Sequence, residues 1–292
     1  MKTLENSFLA LGQSGRAHGL HYALSLFGLF LIVTSLSLLN WIFGVNLSDI
    51  QNSQVLLAIQ LSSFAYILIL FLIVASIIHK RPLLSFISAS KNFNFKTLLV
   101  TFGLFLILNI LVELVNFLIF NQVYTFQFDL SKFIQLIVIA VSLLAIQSAA
   151  EEIILRGYLL QALSSWKKIH PITALLLTSI IFSFMHFSNP EFEEYGITKM
   201  FFSYFIIALF LGSFAILGNG LEIPIGIHAA NNFYAAVLVN YKGSALNTDS
   251  LFIQNTINVP LALIEYIFML MLVSVFLYKF KWIEHPKTLL SS

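Results

Sequence analysis

The chain has 292 residues, 59% of them hydrophobic and 10% charged, against about 25% charged in an ordinary soluble domain. So few polar side chains cannot cover that much apolar surface in water, which excludes a soluble fold and reads as an integral membrane protein. A net charge of +2 without a long basic run excludes a nucleic-acid-binding face, and the absence of cysteine excludes disulfides, thiolate metal sites and a cysteine nucleophile. Apolar stretches of roughly 18 or more residues mark candidate spans, since about 20 residues cross a ~30 Å hydrocarbon core. In chain order they fall at 22–43, 55–78, 97–120, 133–163, 172–187, 199–217, 221–240 and 259–280. The first follows a polar stretch without a small-residue cleavage site and reads as a retained anchor. The fourth is too long for one lipid-facing span and is interrupted by Glu151, Glu152 and Arg156; the fifth is short. Pro82, Pro171 and Pro190 mark helix boundaries. The expectation is an all-α integral membrane protein. It forms a single membrane domain, 1–292, of about eight transmembrane helices around an intramembrane polar cavity.

Charge asymmetry sets the expected orientation. Lys2, Arg16, Lys80, Arg81, Lys91, Lys96, Arg156, Lys167, Lys168, Lys279, Lys281 and Lys287 fall on one side, and Lys132, Lys199 and Lys242 on the other. The positive-inside rule then places both termini in the cytoplasm, in the plasma (inner) membrane of the cell. An even number of spans agrees.

Ionisable groups inside spans are costly and tend to be paired or functional. His18, His21, His79, His170 and His285 fall in loops or at interfaces, whereas His186 and His228 fall within apolar segments. In Glu151-Glu152-Ile153-Ile154-Leu155-Arg156, Glu152 and Arg156 are four apart and can pair along one helical face. Glu151 points about 100° away with no local cation, a setting that suits general base work on a water. The plain alternative is a helix end with ordinary surface charges, since Trp166, Lys167 and Lys168 follow. Phe182 and His186 share a face at i and i+4, as do His228 and Asn232 with small residues between them. Glu113 and Glu265 read as buried hydrogen-bonding partners, and Asn109, Asn116 and Gln147 as bonds between helices.

In this order and spacing, EExxxR, FxxxH and HxxxN, the chain resembles the CAAX-protease and bacteriocin-processing (ABI) family, which includes the type II CAAX prenyl endopeptidases. The matching residues are Glu151, Glu152 and Arg156, then Phe182 and His186, then His228 and Asn232, within a motif-bearing core of about 133–240. The resemblance implies an intramembrane endopeptidase. Glu151 and His186 would activate the attacking water, and His228 and Asn232 would stabilise the oxyanion. Glu152, Arg156 and Phe182 would support them. The implied partners are the bilayer and a peptide or protein substrate, either prenylated or a peptide being processed.

Other intramembrane chemistries lack their residues. Asp49, Asp129 and Asp249 lie in loops, Gly212-Ser213 lacks the glycine of a serine-protease loop, and no HExxH pair exists. No cofactor is the preferred reading. A divalent metal such as zinc held by Glu151, His186 and His228 stays open as the alternative, although no general base would then remain. A non-catalytic immunity or scaffold protein, and a secondary transporter, are the competing functions.

A depth count tests whether the site closes. Glu151 lies 14 residues before Ser165 and His186 lies 15 after Pro171, or roughly 21 and 22 Å along their helices. His228 lies only six residues past Glu222. The breaker-rich segment 218–224 is therefore expected to dip into the protein as irregular backbone and carry His228 level with the others.

Overall fold

The apolar stretches fold as helices, and the polar residues before them set where they start. In the computed structural model, which describes residues 8–166 and 169–284, α1 (Gly19–Ile42) begins where His18 accepts from the Leu20 amide. Asn52, Asn94 and Asp129 accept from the first free amides of α2 (Ser53–His79), α3 (Phe95–Leu118) and α4 (Leu130–Ser164). Each such oxygen satisfies a donor that the helix leaves unpaired. α5 (Pro171–Met185) and α6 (Pro190–Tyr195) start on prolines, whose missing N–H and fixed φ suit a first turn. α7 (Ile197–Leu217), α8 (Glu222–Phe233) and α9 (Val259–Lys279) follow. The connections on one side carry three short strands that the sequence reading did not anticipate. β1 (Tyr124–Phe126), β2 (Val239–Tyr241) and β3 (Phe252–Gln254) lie in the order β1–β3–β2. β3 pairs antiparallel to β1 and parallel to β2, with Tyr124 opposite Gln254 and Val239 opposite Phe252.

Among the described residues six helices, α1, α2, α3, α4, α7 and α9, are long and apolar enough to cross a membrane. The chain is a multi-pass membrane-helical bundle, and two of the eight apolar stretches fold as shorter helices. α5 has 15 residues, and α8 has 12 before a single π turn, Tyr234–Leu238. The apolar run 221–240 is enclosed by the protein itself. Every residue from Glu222 to Ala230 is buried in protein, and a helix surrounded by protein is as apolar as one surrounded by lipid.

α4, with 35 residues, is about 52 Å long at 1.5 Å per residue. α2 runs parallel to it. Gln54 Nε2 donates to the Lys132 carbonyl (2.9 Å) at one end, and His79 Nε2 lies 2.9 Å from the Tyr158 hydroxyl at the other. Two short 3-10 turns, Ala10–Gln13 and Leu83–Phe86, and the residues beside them wrap the last turns of α4. Phe8 is fully buried in one cluster with Ile153, Leu160 and Leu221. Arg81 donates to the Leu11 carbonyl (2.5 Å) and to Gln161 Oε1 (2.6 Å), with its guanidinium 3.8 Å over the Phe86 ring.

The cation count changes in one place. Arg156 is 1% exposed, in the core rather than on either side. Lys2, Lys167, Lys168, Lys287 and both chain ends lie outside the described residues.

α3 and α8 touch at Gly226. A Cβ there would stand 2.2 Å from Thr101 Oγ1 and 2.6 Å from the Leu98 carbonyl oxygen. Gly226→Val is therefore expected to destabilise the protein by about 1–3 kcal/mol through overpacking. Thermal unfolding in detergent checks this, and an unchanged midpoint would mean that the helices separate at no cost.

Candidate active site

α4 carries the Glu pair between two stretches of π geometry, Ala140–Leu144 and Ile153–Leu160. Such wider turns rotate the faces of a helix and recur at functional sites. Glu152 is fully buried. Its Oε1 accepts from Arg156 Nη1 at 3.0 Å and lies 2.8 Å from His228 Nδ1. Arg156 also donates to the Ala208 carbonyl at 3.4 Å, and its guanidinium sits 4.5 Å over the Phe182 ring. The ion pair read from the spacing is present, and surface charge at a helix end is not what these residues provide. The pair also reaches across to α8 and fixes the His228 ring.

The proton positions follow from the partners. Glu152 Oε1 already accepts from Arg156, so it is an ionised acceptor and His228 Nδ1 donates to it. His186 stands just past the end of α5, its Nδ1 2.7 Å from the Phe182 carbonyl oxygen. A carbonyl can only accept, so that nitrogen carries a proton as well. Both rings thus turn Nε2 toward Glu151. Glu151 Oε2 lies 3.9 Å from His186 Nε2 and 3.8 Å from His228 Nε2. These separations are too long for direct hydrogen bonds and suit one bridging oxygen. Glu151 Oε2 is buried and takes no hydrogen bond of its own.

Aromatic rings hold His186 in place. Phe182 lies 4.3 Å from it between centroids, and Tyr204 of α7 stacks on it at 4.3 Å and 25°. Asn232, one turn after His228, donates from Nδ2 to Gln147 Oε1 (3.1 Å) and Ser148 Oγ (3.3 Å). Gln147 Nε2 in turn donates to Glu151 Oε1 at 2.5 Å.

All seven residues singled out in the sequence therefore come together from α4, α5 and α8. Gln147, Ser148 and Tyr204 join them. Gln147 precedes Glu151 by one turn, a spacing that signals contact. Tyr204 carries no sequence signal among so many aromatics.

The breaker-rich segment is irregular over four residues, 218–221, with Gly220 and Leu221 buried. It turns at 218–219, Gly220 bridges to Ser88, and regular helix resumes at Glu222 with Pro224 in its first turn. The three helices still come level, because the reference point lies elsewhere. Gly157 packs against the Phe86 carbonyl, and the Leu221 amide donates to the neighbouring Ile87 carbonyl at 2.8 Å. Positions 157 and 221 are thus neighbours in depth. From them, Glu152 is five residues along one helix and His228 seven along the other, roughly 8 and 10 Å.

The remaining intramembrane polar groups lie apart from this cluster. Glu113 accepts from the Tyr124 and Tyr234 hydroxyls and from Gln254 Nε2, tying α3 to the sheet. Glu265 accepts from Asn116 Nδ2 at 3.4 Å, joining α9 to α3. Asn109 donates to the Phe105 carbonyl of its own helix rather than between helices. His18 and His170 cap helices, and His79 is buried against Tyr158. His285 lies outside the described residues.

Comparison with known proteins bears on the same helices. Residues 133–234 match the family model described as type II CAAX prenyl endopeptidase Rce1-like. The match covers about a third of the chain. The matched segment runs from the first turn of α4 to the end of α8 and contains every residue of the cluster. The uncharacterized protein YyaK of Bacillus subtilis (strain 168) is 32% identical over 166 residues, which is 56% of this chain and 55% of that relative. The chain thus matches about half the length of its curated relative. No solved structure matches.

The donor set can be tested against zinc on its own geometry. Zinc ligands at about 2.0–2.2 Å in tetrahedral array stand roughly 3.3 Å apart. Glu151 Oε2 stands 3.8 and 3.9 Å from the two Nε2 atoms, about half an ångström wider than that spacing. No group of three His, Asp or Glu residues among those described is arranged to hold a metal.

Proposed function

We propose that the chain is an intramembrane endopeptidase of the CAAX-protease-like class. The observation that carries this reading is the convergence of Glu151 Oε2 with the inward Nε2 atoms of His186 and His228, inside an Rce1-like segment. A water bridging these atoms gives one proton to Glu151 and directs its other hydrogen to His186 Nε2. Its oxygen is then free to attack the peptide carbonyl. His228 keeps its Nδ1 proton on Glu152 and donates a second proton's hydrogen bond, from Nε2, to the developing oxyanion. Asn232 supplies the other oxyanion donor by exchanging its longer bond, the one to Ser148. Glu151 then passes its proton to the leaving amine, so that one water and one peptide bond become a carboxylic acid and an amine, which exchange a proton to leave as carboxylate and ammonium.

Charge balance supports this protonation state. Two carboxylates, Glu151 and Glu152, face two cations, Arg156 and a doubly protonated His228. A buried set that sums to zero avoids the cost of an unpaired charge. General base work contributes about 10²–10⁴-fold and one oxyanion donor about 10²–10³-fold.

The reading is metal-free. The proposed substrate is a peptide or protein, prenylated or in processing, reached within the plasma (inner) membrane by a chain with both termini cytoplasmic. The test is cleavage of fluorogenic peptides, prenylated and unprenylated, by purified protein in detergent, with one arm containing a chelator. Cleavage indifferent to the chelator is expected. Loss of cleavage with chelator would overturn the metal-free reading and make Glu151, His186 and His228 metal ligands. No cleavage in any arm would favour a non-catalytic scaffold.

A further inference from the structure

We infer that Gln147 is a positioning residue for the general base, gripping one oxygen of Glu151 so that the other faces the two histidines. The inference rests on the peptidase reading above. Gln147 is nine-tenths buried, and its amide can face only one way. Its Oε1 accepts from Asn232 Nδ2 at 3.1 Å, which leaves Nε2 to donate to Glu151 Oε1 at 2.5 Å. Turning the amide over would set its oxygen against a carboxylate and its NH2 against another NH2, two repulsions in place of two bonds. The grip is anchored on both sides. Asn232 belongs to α8 and also donates to Ser148 Oγ, which donates to the Leu144 carbonyl of α4.

The need for a grip follows from Glu151 itself. A glutamate has three rotatable side-chain bonds, and Arg156 pairs with Glu152, not with Glu151. Oε2 takes no hydrogen bond, so the bond at Oε1 is what selects the rotamer that aims Oε2 at His186 and His228. The relay Asn232 to Gln147 to Glu151 thereby links the α8 motif to the base on α4.

The experiment uses three variants of the full chain: Gln147→Met, near in volume but without a donor; Gln147→Asn, with an amide one methylene shorter; and Gln147→Met combined with Glu151→Gln. Peptide kinetics are read beside infrared difference spectra of protein carrying [13C]glutamate. Gln147→Met should lower kcat roughly tenfold to a hundredfold, the scale of a misplaced reacting group, with KM little changed. Gln147→Asn should recover part of the loss. One carboxylate band should shift in Gln147→Met, and that shift should vanish in the Glu151→Gln background. Wild-type kcat in Gln147→Met would overturn the inference. So would a fall in kcat together with melting temperature and no band shift, which would make Gln147 merely structural. If the wild type cleaves nothing, the peptidase reading fails, while the band shift still decides whether Gln147 grips Glu151.

Discussion

Glu151→Gln is expected to abolish peptide cleavage and leave the fold intact. The substitution keeps the side chain's size and leaves an oxygen for Gln147 Nε2, but it removes the group that takes the water's proton. The loss of a general base is about 10²–10⁴-fold. It should fall on kcat, since the base acts on water rather than on the bound peptide. Stability should hardly move, because Glu151 is outside the Glu152–Arg156 pair. His186→Ala should give a loss of similar size by removing the second atom that directs the water. Cleavage assays, with melting curves alongside, check both. A variant that melts normally and still cleaves at the wild-type rate would remove Glu151 from the reaction. In a scaffold protein the same substitution would change no measured property.

The sequence made the residues that cluster legible better than the architecture. The Glu152–Arg156 pair follows from a local rule, four residues on one helix, and local rules survive folding. His186 and His228 stood out because a membrane interior makes imidazoles expensive. Where the reading departed from the fold, the cause is tertiary. The run 221–240 looks like a span because α8 is enclosed by protein, and hydropathy cannot tell protein from lipid. The link from His228 to Glu152 joins residues 76 apart, and nothing local announces it. The depth count took Ser165 as a boundary, although Phe8, Leu11 and the 83–90 segment wrap the last turns of α4. Gln147 was legible as polar and one turn before Glu151, yet its partner on α8 appears only once both helices are placed.

Arg156→Met is expected to destabilise the protein by about 3–5 kcal/mol, the cost of leaving a buried charge without its partner. Arg156 and Glu152 are 1% and 0% exposed, so water cannot replace the lost guanidinium. The Arg156 guanidinium over Phe182 would be lost as well. Combining it with Glu152→Gln removes the stranded charge and should return most of that stability, since replacing a whole buried pair is often neutral. Cleavage should not return. His228 Nδ1 would then face an amide in place of the carboxylate at 2.8 Å that holds its ring and faces its charge directly. Unfolding midpoints and kcat, measured on the two single variants and the double, separate these effects. Recovery of stability without recovery of rate identifies the pair as the support of His228. Recovery of both would mean that His228 is oriented without Glu152, and the supporting role assigned to the pair would fall.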